Sequence, residues 1–218
     1  MTLDLFGEED LQQPARIERI GAQAYVLRGF ALPWIEALLS AVEAVLQQSP
    51  FRHMQTPGGF TMSARLSSCG DLGWTSDGHG YRYSPVDPGS ATPWPHMPEA
   101  FFNIAAGAAN AAGFAGFVPD AGLINTYSPG AKMSLHQDKN ERRYDAPIVS
   151  ISLGLPAVFQ FGGFQRSDPA QRISLFHGDV MVWGGVDRLR FHGVLPIKPG
   201  NHPELGEQRI NITLRKAG

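Results

Sequence analysis

The chain of 218 residues has one cysteine, Cys69, so it can build neither an internal disulfide framework nor a zinc site held by several thiolates. Charge is also scarce. Charged side chains make up 17% of the residues, and 18 basic against 20 acidic groups leave a formal net charge of −2. That balance excludes a protein coated in positive charge, such as a histone-like DNA binder. Long apolar runs are missing too: Gly, Pro or polar residues interrupt every stretch well short of the ~18 residues a membrane span requires. The first ten residues, MTLDLFGEED, hold four acidic side chains and no basic one, which is unlike a secretory or transit leader. A soluble protein in a reducing, cytoplasmic setting is expected, with no membrane partner. At 43% hydrophobic residues the chain carries enough apolar material for a core.

Glycine (25) and proline (17) are plentiful and spread along the chain, the punctuation of many short strands and turns. Two segments read as amphipathic helices. Residues 33–48 carry Ile35, Leu38, Leu39, Val42, Val45 and Leu46 on one stripe, with Pro33 tolerated at the first turn. Residues 98–112 place Phe101, Ala105, Ala108, Ala109 and Ala112 on one face and stop at Gly113. From residue 123 the pattern turns to strands over 123–127, 148–155, 158–161, 172–176, 180–183, 193–197 and 209–214. No helical stretch lies between them, which predicts a sandwich or barrel rather than βαβ units. Residues 51–98 read as irregular, with weak strand signals near 59–65 and 80–83, and as a functional loop or lid.

His136-Gln137-Asp138 is the first chemical signal. In an extended segment residues i and i+2 share a side, so an imidazole and a carboxylate can converge on one cation. A later histidine would complete a two-His-one-carboxylate facial triad, which leaves positions on Fe(II) open to a co-substrate and dioxygen. Chance alone supplies roughly 0.6 such His-x-acid matches in a chain of this composition, so the pair needs support from elsewhere. A second match, His177-Gly178-Asp179, falls between two strand runs and reads as a tight connection. His192, four strand runs after Asp138, is the expected third ligand. His53, His79, His96 and His202 fall in loops and receive no role.

The C-terminal run supplies an independent signal. Residues 209–215, RINITLR, alternate strictly: Arg209, Asn211, Thr213 and Arg215 share one face, and Ile210, Ile212 and Leu214 the other. Two guanidiniums on one strand face repel unless an anion sits beside them, and Arg grips carboxylates bidentately. Asn125 and Tyr127, again i and i+2, are hydrogen-bond donors that could complete such an anion site. A solvated edge strand is the bland alternative.

Taken together, the order Asn-x-Tyr, His-x-Asp, His, Arg-x-Asn-x-x-x-Arg resembles the AlkB family of bacterial Fe(II)/2-oxoglutarate-dependent dioxygenases. The resemblance runs from about Leu3 to Arg215. It is carried by Pro57-Gly-Gly-Phe-Thr-Met62, Gly73-Trp-Thr75, Tyr81-Arg-Tyr-Ser-Pro85, Asn125-Thr-Tyr-Ser-Pro-Gly130, His136-Gln-Asp-Lys139, Ser150-Ile-Ser-Leu-Gly-Leu-Pro156, Phe159-Gln-Phe-Gly-Gly163 and His177-Gly-Asp-Val-Met-Val-Trp-Gly-Gly185. It implies a mainly β fold with flanking helices: a double-stranded β-helix (jelly roll) with an N-terminal nucleotide-recognition lid. Residues 1–122 would form the N-terminal extension, packing helices and lid (about 51–85), and 123–218 the catalytic core, together one compact unit.

The resemblance further implies oxidative demethylation of N1-methyladenine and N3-methylcytosine in DNA, with RNA as a further candidate, coupling 2-oxoglutarate and O2 to succinate, CO2 and formaldehyde. His136, Asp138 and His192 would bind iron. Arg209 would take the distal carboxylate of 2-oxoglutarate and Arg215 its metal-bound end, with Asn125, Tyr127 and Asn211 completing that pocket. Trp74, Tyr81, Met62, Asn140 and Arg166 would contact a base in single-stranded or flipped form. Asn140 departs from the family, whose close bacterial members usually have Asp there; the neutral amide can still accept a hydrogen bond but adds no charge. A dioxygenase for a protein or small molecule would need the metal and arginine face but not the Trp74/Tyr81 lid, and a non-catalytic jelly-roll module would not need the complete triad. A monomer is expected. Setting aside the four acidic groups of the first ten residues leaves 18 basic against 16 acidic, or +2, so a nucleic-acid substrate is compatible with the charge. Few phosphate contacts are expected, and with them a shallow salt dependence.

Overall fold

Strands outnumber helices along the chain, and the computed structural model, which describes residues 16–218, places sixteen strands and two α-helices there. The acidic segment of the first ten residues lies outside the described residues. The hairpin β1 (Ile17–Arg19) and β2 (Ala24–Leu27) leads through a 3-10 turn, Leu32–Trp34, into helix α1 (Ile35–Gln48). Then come β3 (Arg52–Gln55), β4 (Thr61–Gly70), β5 (Gly73–Asp77), β6 (Gly80–Ser84), the short β7 (Val86–Asp87) and β8 (Thr92–Pro93), and helix α2 (Glu99–Ala111). The remainder is strands: β9 (Ala121–Tyr127), β10 (Met133–His136), β11 (Ile148–Gly154), β12 (Ala157–Phe161), β13 (Gln171–Leu175), β14 (Val180–Trp183), β15 (His192–Val194) and β16 (Arg209–Arg215).

Eight strands make one sheet in the order β1-β2-β14-β11-β16-β9-β4-β3, and four make a second, β10-β15-β12-β13. Every neighbouring pair in both is antiparallel. This is the sandwich expected from the strand spacing, in the jelly-roll form that the family resemblance implied. The outer face of the large sheet carries Val149, Ile151, Leu153, Val180, Val182, Ile210, Ile212 and Leu214, which pack in one cluster with Leu38, Val42 and Val45 of α1 and Phe101, Ile104 and Ala108 of α2. The helices are therefore core covers, as their stripes predicted. A smaller cluster, including Phe159, Phe161, Met181 and Trp183, joins strands of the two sheets. The inward residues of β9, β11 and β16 are left to form a polar wall. Among the described residues no helix is long and apolar enough to cross a membrane.

The region 51–98 is not irregular: it holds β3 to β8, and β4 is ten residues long. Its sequence hides this because Thr61–Gly70 reads TMSARLSSCG, without the Val and Ile that mark strands. Its serines, Ser67 on the helix side and Ser68 on the other, are buried and paired instead, with the Ser67 hydroxyl donating to the Ser49 carbonyl (2.5 Å) and the Ser68 hydroxyl to the Trp74 carbonyl (3.3 Å). β4 pairs with β9 over six residues, so the region expected as a lid is partly an extension of the main sheet. The N-terminal half thus supplies β1 to β4 to the same sheet as β9, β11 and β16.

Candidate metal centre

β10 and β15 pair antiparallel, and His136 stands directly opposite His192 in their register. The approach is close: a Cβ on Gly193 would fall 2.7 Å from the Met133 carbonyl oxygen, so glycine is required beside His192. The two rings lie 4.4 Å apart between centroids. β10 ends at His136, so Asp138 reaches the site from the loop beyond the strand and not from an extended strand as expected. Its carboxylate nevertheless bridges the pair, with Oδ1 3.6 Å from His136 Nε2 and Oδ2 3.6 Å from His192 Nε2. One ligand atom from each of the three lies within 4.8 Å of the others, and among the described residues this is the one such cluster.

The tautomers fit a metal. His136 Nδ1 faces the Ser134 carbonyl (2.9 Å) and His192 Nδ1 the Arg190 carbonyl (3.0 Å). A carbonyl only accepts, so both Nδ1 atoms carry hydrogen and both Nε2 lone pairs turn to the cluster. Desolvation in the cavity, then the neighbouring His192, push the His136 imidazole down to about 4. Burial would raise the Asp138 carboxyl, but Arg215 and then His192 outweigh it and hold it well below the usual carboxylate range. Two neutral imidazoles and one carboxylate are the donor set of a facial triad.

The polar wall lies beside this cluster. In the β9/β16 register Asn125 faces Asn211 and Tyr127 faces Arg209. Arg215 donates from Nη2 (2.6 Å) and Nε (3.0 Å) to Asp138 Oδ2, and from Nη1 to the Tyr83 hydroxyl (3.3 Å). Asn211 Nδ2 donates to the Ser150 hydroxyl (2.8 Å) and the Ile151 carbonyl (3.0 Å). Arg209 is 1% exposed and is set behind the cavity wall rather than on it. Its guanidinium donates to the Ser152 hydroxyl (2.7 Å) and the Leu155 carbonyl (3.3 Å), but its Nε has no partner and no carboxylate lies within ion-pairing distance among the described residues. Burial pulls this guanidinium down to about 10, against Tyr127 and Asp179. The buried Asn125 Oδ1 is also unpartnered. A buried cation without a paired anion is costly. These orphans fit a small dicarboxylate between Arg209 and the triad.

One cavity of about 750 Å³ joins the triad to most of the polar wall. His136, Asp138, His192, Asn125, Tyr127, Asn211 and Arg215 line it, as do the expected base contacts Met62, Trp74, Tyr81, Asn140 and Arg166. Arg209 alone of the expected site residues is not in its lining. Trp74 and Tyr81 stack at 5.7 Å with 17° between their planes. Asn140 ties them to the core loop: its Oδ1 accepts from Trp74 Nε1 and its Nδ2 donates to the Tyr81 carbonyl, both at 3.4 Å. Arg166 bonds the Leu135 carbonyl and lies over the Phe191 ring at 5.2 Å.

Three site residues went unassigned in the sequence. Tyr83 shares the alternation of β6 with Tyr81, a readable signal, and donates to the buried Glu141 (2.9 Å). Glu141 itself sits in a loop without periodicity. Trp183 ends an apolar strand and reads as core, yet it lines the cavity, meets His192 edge-on at 5.1 Å, and has a buried Nε1 without partner. The second His-x-Asp match is scaffold, as expected. Gly178 turns at φ 87°, and Asp179 accepts from the Phe176 and Gly29 amides and from Arg28.

The family profile of the 2OG-Fe(II) oxygenase superfamily matches residues 23–215. The alpha-ketoglutarate-dependent dioxygenase AlkB of Escherichia coli (strain K12) is 54% identical over 216 residues, covering 99% of this chain and 98% of that protein. The protein of the same name from Salmonella typhimurium is 55% identical over 215 residues with the same coverage. Among solved structures, that of OsALKBH1 superposes with a TM-score of 0.79 at 26% identity, covering 92% of this chain and all of the other.

Proposed function

The chain belongs to the 2OG-Fe(II) oxygenase superfamily and, within it, to the AlkB family, and from that membership and the site we infer that it oxidatively demethylates N-alkylated nucleic-acid bases. Its cofactor is Fe(II), with 2-oxoglutarate and O2 as co-substrates. The observation that carries the substrate class is the single cavity in which the Trp74/Tyr81 stack shares walls with the metal triad. Bound together, Fe(II), 2-oxoglutarate and O2 would supply the oxidising chemistry: one oxygen atom would go to the N-methyl carbon, released from the base as formaldehyde, and the other would convert 2-oxoglutarate to succinate and CO2.

The protein's part is to hold and orient. His136, Asp138 and His192 hold the metal, the two imidazoles through Nε2. Arg209, behind Tyr127, offers the distal carboxylate of 2-oxoglutarate a buried and otherwise uncompensated cation. Arg215 serves its other end while keeping the Asp138 carboxylate in place. Asn125, Tyr127 and Asn211 complete that pocket. Trp74 presents a flat face to a base withdrawn from its stack, with the His136 ring as the opposite wall. Tyr81, Met62 and Arg166 border the nucleotide. Asn140 offers a carbonyl oxygen to an exocyclic amino group while its amide nitrogen holds the lid strand. Few cations border the cavity, which supports recognition of one damaged nucleotide and a few phosphates rather than a long tract. A monomer in a reducing, cytoplasmic setting belongs to the same proposal, and the buried Cys69 offers no exposed thiol for a disulfide between chains.

Formaldehyde release from oligonucleotides carrying N1-methyladenine or N3-methylcytosine, in single- and double-stranded DNA and RNA with Fe(II), ascorbate and 2-oxoglutarate, is the test. Release from a methylated strand is expected. Succinate formation without release from any of them would transfer the reading to a protein or small-molecule substrate.

A further inference from the structure

Arg188 stands at the end of the 3-10 turn Gly185–Asp187, 2% exposed, and does not line the cavity. Its guanidinium reaches three oxygens in one segment, two by hydrogen bonds and one as an ion pair. Nη1 donates to the Asp138 carbonyl oxygen (2.8 Å), Nε to the Ala146 carbonyl (3.3 Å), and Nη2 lies 3.3 Å from Glu141 Oε2. The same group covers the Tyr144 ring at 5.6 Å. All four partners fall between the end of β10 at His136 and the start of β11 at Ile148, a stretch without strand or helix. Such a stretch has no backbone ladder of its own, so side chains fix its shape. The turn makes a second tie to it, from Gln137 Nε2 to the Leu189 carbonyl (2.6 Å).

We propose that Arg188 is a positioning residue for the metal ligand Asp138, acting through the backbone and side chains of residues 138–146. This rests on the reading of Asp138 as an iron ligand. The charges explain why an arginine is needed. Arg188 and Arg215 are two buried cations, and Asp138 and Glu141 two carboxylates packed against them. Arg215 Nε lies 3.0 Å from Asp138 Oδ2 but only 3.6 Å from Glu141 Oε1. Without Arg188, Glu141 keeps Arg215 as its one guanidinium partner and draws it from Asp138, while the Asp138 carbonyl loses its donor. The carboxylate that completes the triad then has neither its backbone anchor nor its steady counter-ion.

The test uses the metal alone on the full chain. Mn(II) dissociation constants are measured for the wild type, Arg188→Met and Arg188→Lys, with the ligand-field absorption of the Co(II)-loaded proteins as a readout of ligand geometry and thermal unfolding to confirm folded protein. Loss of a group that orients a metal ligand typically weakens metal binding about 10–100-fold, so Arg188→Met is expected at least tenfold weaker with an altered Co(II) spectrum. Arg188→Lys, which keeps the charge and one donor, recovers part of both. Folded Arg188→Met with a dissociation constant within twofold of wild type overturns the inference. If Arg188→Met does not fold, Arg188→Lys decides: about threefold weakening or more supports it, and wild-type affinity overturns it. Failure of the wild type to bind Mn(II) would overturn the metal reading and this inference with it, whereas wild-type binding with unchanged variants overturns the inference alone.

Discussion

Two pairs of histidine rings pack against each other in this molecule, His136 with His192 at 4.4 Å between centroids and His177 with His202 at 4.3 Å. Ring distance does not separate them, and both members of each pair come from distant stretches of sequence. The backbone opposite Nδ1 separates them. In the first pair Nδ1 faces carbonyls, so the hydrogen sits there and Nε2 is free for a metal. In the second, His177 Nδ1 accepts from the Gly154 amide (3.0 Å), and His202 Nδ1 accepts from the amides of Glu204 and Leu205 (both 3.3 Å). An amide only donates, so the neutral rings there carry hydrogen on Nε2 and have no lone pair left for a cation. The second pair instead fastens the loop before β16, and with it the approach to Arg209, onto the end of β11. One side chain, in one kind of stack, is a metal ligand or a strut according to the polarity of a single backbone group.

The largest expected effect comes from removing one ring of each pair. His136→Ala should bring formaldehyde release to the detection limit and abolish Mn(II) binding while the melting temperature stays near wild type. His177→Ala should do the reverse. It leaves the Gly154 amide without its acceptor, a loss of about 1–3 kcal/mol, which at roughly 2–4 °C per kcal/mol for a chain of this size is visible in the Tm; its Mn(II) affinity should match wild type. A His177→Ala chain that lost its metal would break the distinction between the pairs.

Acid should produce a smaller effect. Burial, then the neighbouring His202, hold His177 below the ordinary imidazole value, and burial holds His202 below it against Glu204. With folded values depressed, the unfolded chain takes up protons first as pH falls below about 6.5. The stability these rings contribute is therefore complete above that pH and is lost as pH falls toward and through the folded values. Asparagine can accept the same backbone bonds without titrating, so the double variant His177→Asn/His202→Asn should lose less Tm than wild type between pH 7.5 and 5. His136, also depressed, adds the same slope to both chains. Parallel Tm curves for the two proteins would remove the pH role of the second pair.

The mildest test lies two residues beyond the metal-ligand carboxylate. Asn140→Asp places a charge where the amide oxygen now sits, favouring a cationic methylated base, at the loss of the bond to the Tyr81 carbonyl. Strengthening one hydrogen bond by about 0.5–1 kcal/mol is roughly two- to fivefold in rate or affinity. The ratio of N1-methyladenine to N3-methylcytosine turnover should rise by that much, and an unchanged ratio would make Asn140 irrelevant to base preference.

Much of this was legible in order and pattern. The strict alternation of residues 209–215 sorts the side chains of β16 onto its two faces with no help from the rest of the chain, because a strand has a period of two and its apolar face must be buried. The stripes of α1 and α2 do the same for the helices. The triad was legible as His-x-Asp plus a later histidine, though not from spacing alone, since His177-Gly178-Asp179 has the same spacing and ends as a turn. What stayed hidden had weak local signals. β4 is rich in Ser and Thr and lacks Val and Ile, and the hydroxyls of its buried serines find partners only in the folded chain. Glu141 and Arg188 stand in loops and turns with no period to read.

The sequence by itself determined the strand-rich character of the fold, the helices that cover it, the His136-x-Asp138 pair and the arginine-lined face, because each depends on a repeat or a spacing along one stretch of chain. The tertiary structure alone decided that β10 stops short of Asp138, that Arg209 works from behind the wall, that Asn140 ties the lid to the core, and which histidine pair keeps its Nε2 lone pairs. Those depend on which backbone group, carbonyl or amide, comes to lie opposite a side chain from a distant segment, and pairing between strands fixes that only when the whole sheet has closed.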